Sequence, residues 1–410
     1  MTTGIEAINV YPGRLRLGVE RLFAARTLDL KRFSNLMMVE KSVNLPCEDP
    51  VTNAVNAARP LLRNLSAGEL AAIELLIVGT ESGLDQGKPL STYVHHHLGL
   101  SRRCRSFEVK HACYGGTAAL QTALGLLARS GRSGVKALVV ATDTASRVAR
   151  STYWEPSQGA GAVAMLVGER AEVLEVDAGA SGCYSYEVMD TCRPSPDLEA
   201  GDSDLSLLSY LHCLEQCVLA YQERVRGADV RTTFDYLAFH TPFAGMVKGA
   251  HRMLLRKLGG LGPEAIERDF AARVAPSLSY CMRIGNIYSA ALYLALCSLI
   301  EGASFEAPKR IGLFSYGSGC AAEFYSGVIS PGAPAALAAL GLAERVAERY
   351  ELDMEEYETI AELSAQSRGA PRSLAVDTAP YQAIYDRTMA GQGLLVLRAI
   401  DEYHRLYEWS

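Results

Sequence analysis

The stretch "FEVKHACYGGTAALQTALGLLARSG" at residues 107–131 decides the fold. A short strand-like run leads into Cys113, two glycines follow, and an Ala/Leu-rich segment then shows helical periodicity. A cysteine at the start of a helix faces unpaired backbone N–H groups and the positive end of the helix dipole, and both favour the thiolate. We therefore predict that Cys113 is a covalent nucleophile, with its backbone N–H donating to an oxyanion and Gly115 and Gly116 leaving room for the substrate. The alternative is a buried structural cysteine beside glycines that allow close helix packing.

Strand and helix patterns alternate outward from this stretch, which predicts an α/β fold with layered sheets. Strand patterns occur at residues 5–13, 71–82, 135–143, 159–168, 234–242 and 310–329. Helix patterns occur at residues 46–65, 113–130, 245–259 and 285–300. Because the order of parts is similar in the two halves, we predict a duplicated unit with halves at residues 1–168 and 169–330. Residues 331–410 are predicted to form a helical C-terminal extension with a capping or interface role.

The composition excludes several classes of protein. The 410 residues are 49% hydrophobic and 21% charged, with a net charge of −6, which argues against wholesale attraction to nucleic acid. No apolar run is long enough to span a membrane and the N-terminal residues do not resemble a secretory signal, so we expect a cytoplasmic protein. The ten cysteines lack a CxxC pair, and His95–His97 lack spaced partners. We therefore expect reduced thiols and no metal site.

Two further residues lie where predicted strands end, which is where open α/β sheets collect ligands. Glu81 follows an apolar strand and is a candidate for general acid–base catalysis, the alternative being an exposed loop carboxylate. His240 ends a second strand and is followed by Thr241 and Pro242. A lone histidine at such a position is also compatible with an ordinary surface or core residue.

Two turns contribute further candidates for substrate binding. Asn286, in "GNIYSAA", is placed to donate a hydrogen bond to a substrate carbonyl, or alternatively to cap the helix that follows. The turn "SYGSG" at residues 315–319 lets backbone N–H groups point at an oxyanion, with the N–H of Ser318 as the second donor. The alternative for this turn is a tight hairpin, which glycine also serves.

A third group of candidates is cationic. Lys248, Arg252 and Arg256 follow one another at intervals of four residues, which places them on one helix face. They are candidates to bind a pantetheine-linked phosphate or an acidic partner protein, although a solvated face explains the pattern equally well. Arg102, Arg103 and Arg105 form a second cluster, predicted to lie near the same half of the site.

Together these stretches resemble the 3-hydroxy-3-methylglutaryl-CoA synthase family of the thiolase superfamily. The motifs that carry the resemblance are "KHACYGGTAAL", "FHTPFAGMVKGAHR", "GNIYSAALYLAL", "FSYGSG" and "EPSQGAGAVAML". The resemblance implies a five-layer αβαβα fold with pseudo-duplicated halves and a homodimer. It also implies that Cys113 carries the acyl group, that Glu81 is the general acid/base, that His240 positions the acceptor, and that Asn286 contacts the acceptor thioester.

Residues 186–211, with "DTCRP" and "LSLLSYL", are more similar to the branch of the family found in polyketide assembly lines. Members of that branch install a β-alkyl group on substrates that ride on acyl carrier proteins. The resemblance therefore implies condensation of an acetyl group with an acetoacetyl-type thioester, with no bound cofactor because phosphopantetheine arrives with the substrate. The segment at residues 142–156 differs from the family pattern, so the resemblance does not predict the wall of the donor pocket.

Three alternatives remain at this point. A mevalonate-pathway synthase would use free acetyl-CoA and acetoacetyl-CoA. A ketoacyl synthase would need Cys113, His240 and Asn286 but would not depend on Glu81. An inactive thiolase-fold scaffold would bind carrier proteins without becoming acylated at Cys113.

Overall fold

Seventeen β-strands lie in the part of the chain that the computed structural model describes, namely residues 3–145, 150–195, 198–368 and 370–410. The strands are β1 (Gly4–Tyr11), β2 (Leu15–Gly18), β3 (Glu40–Val43), β4 (Ile73–Gly79), β5 (Arg105–Val109), β6 (Lys136–Asp143), β7 (Gly161–Gly168), β8 (Leu174–Ser185), β9 (Thr191–Ser195), β10 (Leu198–Gly201), β11 (Tyr236–Phe239), β12 (Lys309–Gly317), β13 (Ala321–Ile329), β14 (Tyr350–Glu351), β15 (Leu374–Ala375), β16 (Leu395–Asp401) and β17 (His404–Trp409).

The α-helices in the described ranges surround these strands. They are α1 (Val19–Ala25), α2 (Leu30–Leu36), α3 (Pro50–Arg63), α4 (Ala67–Ala71), α5 (Leu90–His97), α6 (Gly115–Arg129), α7 (Ser203–Arg224), α8 (Ala244–Lys257), α9 (Pro263–Arg273), α10 (Ser279–Ile284), α11 (Ala291–Gly302), α12 (Ala333–Ala338), α13 (Leu342–Ala347), α14 (Met354–Arg368) and α15 (Gln382–Thr388).

The largest sheet joins the two halves of the chain. Its nine strands have the order β11-β12-β13-β8-β1-β7-β6-β4-β5. The N-terminal strands β5, β4, β6, β7 and β1 meet the C-terminal strands through a short pairing of β1 with β8 at Gly4 and Ile5. Because β4, β5 and β6 run parallel, their carboxyl ends meet at one edge, which is where the candidate site lies.

Side chains that alternate along each strand separate the layers, as a two-residue period requires. On β6, Val139 packs into a central core with α6 and α11, whereas Val140 packs into an outer core with α3. In the C-terminal half, Leu313 of β12 faces the central core, whereas Phe314 faces α7 and α8. The layers are therefore outer helices, sheet, central helices, sheet and outer helices, as the sequence predicted.

Gly79 and Gly116 allow close packing at the start of α6. A Cβ on Gly79, the last residue of β4, would lie 2.5 Å from the carbonyl oxygen of Gly115. A Cβ on Gly116 would overlap the carbonyl of Ser289, which belongs to a short 3-10 helix at Tyr288–Ala290. A Cβ on Gly115 would meet only ordinary contacts, with the nearest atoms at 3.4 Å. The packing role that the sequence left open as an alternative therefore applies to Gly116.

The prediction of a purely helical C-terminal extension is wrong. The segment contains four strands, of which β16 and β17 form an antiparallel hairpin. β16 opens with a short run of three buried apolar residues, Leu395–Leu397, which is compatible with a buried strand. The hairpin packs on the N-terminal half, since the Asn56 side chain hydrogen-bonds both backbone groups of Leu395. Arg405 of β17 also forms a buried ion pair with Asp49, with 3.1 Å between Nη1 and Oδ2.

In the described ranges, no helix combines the length and the apolar character that a membrane crossing requires. All ten cysteines are free, and seven of them are buried, which agrees with the expectation of reduced thiols used as small hydrophobic residues. The altered segment predicted to form the donor-pocket wall includes residues 146–149, which lie outside the described residues.

Candidate active site

Cys113 and Glu81 contact each other at the carboxyl ends of β4 and β5. The distance between Cys113 Sγ and Glu81 Oε2 is 3.4 Å, with the thiol donating to the carboxylate. Glu81 follows β4 by two residues, and Cys113 lies two residues before the first residue of α6. The sequence placed these two side chains at separate strand ends, and the parallel pairing of β4 with β5 brings them together.

The surroundings of Cys113 oppose the effect of the helix end on its thiol. Removal from water and the neighbouring Glu81 carboxylate both raise the pKa of the Cys113 thiol well above its ordinary value. These two effects act against the helix dipole, which favours the thiolate. The contact with Glu81 is therefore one in which the thiol donates its proton in a hydrogen bond to the carboxylate.

Glu81 is itself held in a buried, acidic environment. Burial raises the pKa of its carboxyl group above the ordinary value, and the nearby carboxylates of Asp143 and Glu199 raise it further. Asp143, the last residue of β6, accepts hydrogen bonds from the backbone N–H groups of Glu81 (2.8 Å) and Ser82 (3.0 Å). Asp143 also accepts from the backbone N–H of Ser289 at 2.9 Å. It therefore fixes the Glu81 turn against the 3-10 helix.

Arg193 is a functional candidate that the sequence analysis missed. Its Nη1 lies 4.0 Å from Glu81 Oε1, and its Nη2 lies 3.6 Å from Glu199 Oε2. It is the arginine of "DTCRP", the run that served above to assign the branch but not to assign a role. The available signal for Arg193 in the sequence was its place as a basic residue just before a proline, within a stretch rich in acidic residues.

His240 follows β11 directly, as predicted. Its backbone N–H donates to Phe314 at 2.7 Å, and its carbonyl accepts from the Tyr210 hydroxyl at 2.7 Å. The ring is buried, and Nδ1 has no hydrogen-bond partner among the described residues. Burial lowers the pKa of the imidazole to about 3, so the ring is neutral at physiological pH.

Asn286 lies at the entry to the 3-10 helix Tyr288–Ala290. Its side-chain Oδ1 accepts from the backbone N–H of Tyr288 at 2.9 Å, which closes a turn but is not the helix cap that the sequence analysis offered as the alternative, because the N-cap residue is Ile287 and no side chain caps it. Its backbone pairs with the segment around Gln158, since its N–H donates to Ser157 at 2.7 Å and its carbonyl accepts from Gly159 at 2.9 Å. In the described residues, the hydrogen bond through Oδ1 is the one that the Asn286 side chain forms.

Ser318 lies in the turn between β12 and β13, which packs on the nucleophile segment. A Cβ on Gly317 would lie 2.6 Å from both the carbonyl oxygen of His111 and the nitrogen of Tyr114. The adjacent Gly319 is fixed by its N–H, which donates to buried Asp190 at 2.9 Å. The turn therefore adjoins the segment that carries Cys113, as an oxyanion donor at Ser318 requires.

The cationic stripe on α8 is partly neutralised. Glu267 of α9 contacts both Lys248 (2.8 Å) and Arg252 (3.1 Å). Arg256 is exposed and forms no ion pair within the described ranges. The stripe leads away from the His240 end of the sheet along about 12 Å of helix.

The second cationic cluster is not near the site. Arg105 is the first residue of β5, and Arg102 and Arg103 precede it, whereas Cys113 follows the opposite end of that strand. The expectation that these three arginines flank the same half of the site is therefore wrong, because sequence proximity ignored the length of the strand between them.

A cleft of about 960 Å³ opens beside Glu81, which is one of its lining residues. Arg193, Glu108 and Lys110 line it, together with Arg405 from the C-terminal hairpin. The extension, to which the sequence assigned no chemistry, therefore forms one wall of this cleft. Among the described residues, no cluster of three or more histidine, cysteine, aspartate or glutamate side chains could hold a metal ion.

Comparison with known proteins agrees with this geometry. Residues 52–172 match the family described as hydroxymethylglutaryl-coenzyme A synthase N terminal, and residues 263–408 match its C-terminal counterpart. The polyketide biosynthesis 3-hydroxy-3-methylglutaryl-ACP synthase PksG of Bacillus subtilis is 51% identical, covering 100% of this chain and 99% of the relative. The hydroxymethylglutaryl-CoA synthase of Enterococcus faecalis is 36% identical, covering 88% of this chain and 91% of that protein.

A solved structure extends the agreement to three dimensions. The curacin biosynthetic pathway HMG synthase, in complex with acetyl donor-ACP, superimposes with a TM-score of 0.96 at 50% identity, with 100% of both chains covered. The predicted thiolase-like α/β fold and the predicted family are both confirmed. This chain belongs to the hydroxymethylglutaryl-coenzyme A synthase family.

Proposed function

We propose that the protein condenses an acetyl group, carried on Cys113, with the β-ketone of an acetoacetyl-type thioester, in an aldol-type reaction. Hydrolysis then releases a 3-hydroxy-3-methylglutaryl-type product. The observation that carries the proposal is the contact between Cys113 Sγ and Glu81 Oε2 at 3.4 Å. A nucleophile in contact with a buried carboxylate supplies both parts of an aldol-type synthase, namely an acyl carrier and a base for its methyl group.

The first step loads the acetyl group. The Cys113 sulfur attacks the donor thioester, forming a new thioester and breaking the bond to the pantetheine sulfur. Glu81 accepts the thiol proton through the existing hydrogen bond and passes it to the departing pantetheine thiolate. A carboxyl group with a raised pKa suits this exchange, because its proton affinity approaches that of the thiol groups.

The second step forms the carbon–carbon bond. Glu81, again a carboxylate, removes a proton from the acetyl methyl, and the backbone N–H groups of Cys113 and Ser318 stabilise the enolate. The enolate carbon adds to the β-ketone, and Glu81 returns its proton to the new tertiary alkoxide. Water then hydrolyses the Cys113 thioester, which frees one carboxylate and restores the thiol.

His240 and Asn286 hold the acceptor in this scheme. Because burial keeps the imidazole neutral, His240 acts as a hydrogen-bond donor to the acceptor and not as a positive charge. Asn286 offers its amide group to the acceptor thioester carbonyl. Metal and redox chemistry have no part in the scheme, since every step is an acyl transfer, a proton transfer or a carbonyl addition.

Both substrates are proposed to be bound to acyl carrier proteins, in polyketide β-branching within the cytoplasm. The support is that the B. subtilis relative is a polyketide biosynthesis 3-hydroxy-3-methylglutaryl-ACP synthase and that the curacin pathway enzyme forms a complex with acetyl donor-ACP. The test supplies acetyl-carrier protein and acetoacetyl-carrier protein together and follows the acceptor by intact mass. A 3-hydroxy-3-methylglutaryl group on the acceptor supports the function, and an unchanged acceptor refutes it. A second candidate function is the use of free CoA thioesters, because the E. faecalis relative is a hydroxymethylglutaryl-CoA synthase.

The α8 stripe is proposed as a docking surface for an acidic carrier protein. Reversing two charges, Arg252→Glu with Arg256→Glu, should raise the apparent KM for the donor carrier about tenfold or more at low salt, with a smaller effect at high salt. Steady-state kinetics at two ionic strengths measures this. The matched control, Arg372→Glu with Arg398→Glu on the C-terminal hairpin region, should leave KM unchanged. An unchanged KM in the α8 variant at low salt would remove the stripe from the docking surface.

A homodimer is proposed through the free edge of β5. In the described part of the chain β5 pairs with β4 alone, and its residues are partly exposed. An unpaired edge is a template for strand addition, and a second copy of the same strand pairs with it across a two-fold axis. Light scattering should give twice the 44.3 kDa chain mass. A wild-type mass of one chain would contradict the proposal.

A further inference from the structure

Arg193 lies between two carboxylates that it does not fully neutralise. Its guanidinium nitrogens lie 4.0 Å from Glu81 and 3.6 Å from Glu199, which exceeds ordinary hydrogen-bond distance. Closer contacts hold it in place, since Nη1 donates to Ser82 Oγ at 3.0 Å and Nη2 to the Thr144 carbonyl at 3.4 Å. The side chain is 10% exposed. The cation is thus fixed by neutral groups and shared between two acids.

Glu199 is fixed independently of Arg193. The Gln158 side-chain amide donates to Glu199 Oε2 at 3.0 Å. Gln158 belongs to the segment that pairs with the backbone of Asn286, so the amide is anchored to the core of the site. Because Glu199 lies on β10 and Arg193 on the paired strand β9, one hairpin carries both charges.

Four groups act directly on Glu81, and Glu108 of β5 and Lys110 also line the cleft beside it. Arg193 of β9 lowers the pKa of the Glu81 carboxyl group, whereas Asp143 of β6 and Glu199 of β10 raise it. The Cys113 thiol donates a hydrogen bond to the carboxylate. The guanidinium of Arg193 also lies over the ring of Tyr288, 5.2 Å from the ring centroid. This phenol is uncharged and adds no charge to the group.

We propose that Arg193 and Glu199 are positioning residues that set the fraction of Glu81 present as carboxylate when the acetyl methyl group is deprotonated. The inference rests on the proposed function, because it assigns Glu81 as the base for that methyl group. The two residues act in opposite directions, because the Arg193 cation favours the carboxylate form of Glu81 and the Glu199 carboxylate disfavours it. Ser82 and Thr144 hold Arg193 in place, and Gln158 holds Glu199. The positions of both charges near Glu81 are therefore fixed.

Two substitutions should therefore move the pH profile in opposite directions. Arg193→Met removes the cation. The rate at which the acetyl methyl group is deprotonated should then begin to rise at a higher pH, by about 1 to 3 units, which is the pKa shift that an opposite charge at 4–6 Å produces. Glu199→Gln removes an acid and frees Arg193 for Glu81, so the same rise should begin at a lower pH. Arg193→Lys keeps the charge and should restore most of the wild-type midpoint. A purely structural role would reduce rates without opposed shifts.

The experiment measures exchange of the acetyl methyl protons with deuterated solvent in acetyl-Cys113 protein, by mass spectrometry between pH 5 and 10. Arg231→Met, which removes an exposed arginine paired with Asp229, is the matched control and should show the wild-type midpoint. Opposed shifts in Arg193→Met and Glu199→Gln support the inference. Equal midpoints, or shifts of the same sign, overturn it.

A second readout distinguishes failure of this inference from failure of the proposed function. If the wild-type protein fails to accept an acetyl group, the proposed function fails, and the balance at Glu81 is then read from the rate at which iodoacetamide alkylates Cys113. The thiol contacts Glu81, so Arg193→Met should move this alkylation profile to higher pH and Glu199→Gln to lower pH. Unmoved alkylation profiles would overturn the inference on that route as well.

Discussion

Replacing Cys113 with serine should abolish product formation. The serine hydroxyl is a far weaker nucleophile than a thiol sulfur, and loss of a covalent nucleophile lowers turnover by on the order of 10⁴- to 10⁶-fold. Intact mass should show no acetyl group on Cys113→Ser protein under conditions that fully load the wild type. The assay is direct because the acyl-enzyme is itself the species that is weighed.

The matched control is Cys183→Ser, which alters an exposed cysteine on β8 and should load normally. Retained acetylation in Cys113→Ser protein would show that another residue carries the acyl group. That result would also remove the mechanistic meaning of the contact with Glu81.

Replacing Glu81 with glutamine should separate loading from condensation. Condensation needs the carboxylate twice, to remove the methyl proton and to return it, so turnover should fall about 10²- to 10⁴-fold. Loading should suffer less, because the substitution that removes this base also removes the neighbouring carboxylate that raises the pKa of the Cys113 thiol, so water can take the thiol proton more easily. We therefore expect acetyl-Cys113 to accumulate in the Glu81→Gln protein.

Glu48→Gln is the control for this second substitution. Glu48 is buried and lines the same cleft, but its carboxylate accepts from the Tyr11 hydroxyl at 2.6 Å and lies outside the reaction scheme. It should leave condensation within a few-fold of the wild type. Full activity in Glu81→Gln protein would favour a ketoacyl synthase, which the sequence analysis kept as an alternative.

The pH dependence of the wild-type enzyme follows from the same carboxylate. Burial raises the pKa of Glu81, so deprotonation of the methyl group should become faster as pH rises through that raised value. For stability the sign is opposite: the folded state holds the proton more tightly than the unfolded state, so this group's contribution declines as pH rises above its ordinary range. His240 should add no inflection above pH 5, since burial lowers its pKa to about 3.

Strand ends explain how much of the site could be predicted from sequence. Glu81 and His240 follow short apolar runs directly, and Cys113 precedes a helix pattern, so local periodicity places all three at the carboxyl edge of a sheet. Their approach to one another depends on strand order, which no local pattern contains. The resemblance to a known family supplied their joint role in one site.

Residues that act from a distance in sequence escaped prediction. Asp143 and Arg193 reach Glu81 from β6 and from the β9–β10 hairpin, and their identities alone do not distinguish them from other charged residues. The same reason explains the misplaced cluster at Arg102, because sequence proximity to Cys113 does not translate into spatial proximity across a strand. In the C-terminal extension, β16 contributes only a short apolar run at Leu395–Leu397, and such a run does not distinguish a strand from a helix segment.

The most direct test of the account compares two acetyl donors. Wild-type protein is mixed with acetyl-carrier protein or with acetyl-CoA at equal concentrations, and the mass of each sample is measured before turnover, with Cys113→Ser as control. The account predicts a gain of one acetyl group from the carrier-bound donor, little gain from acetyl-CoA, and none in the variant. Equal loading from both donors would contradict dependence on the carrier protein, and loading of the variant would contradict the nucleophile itself.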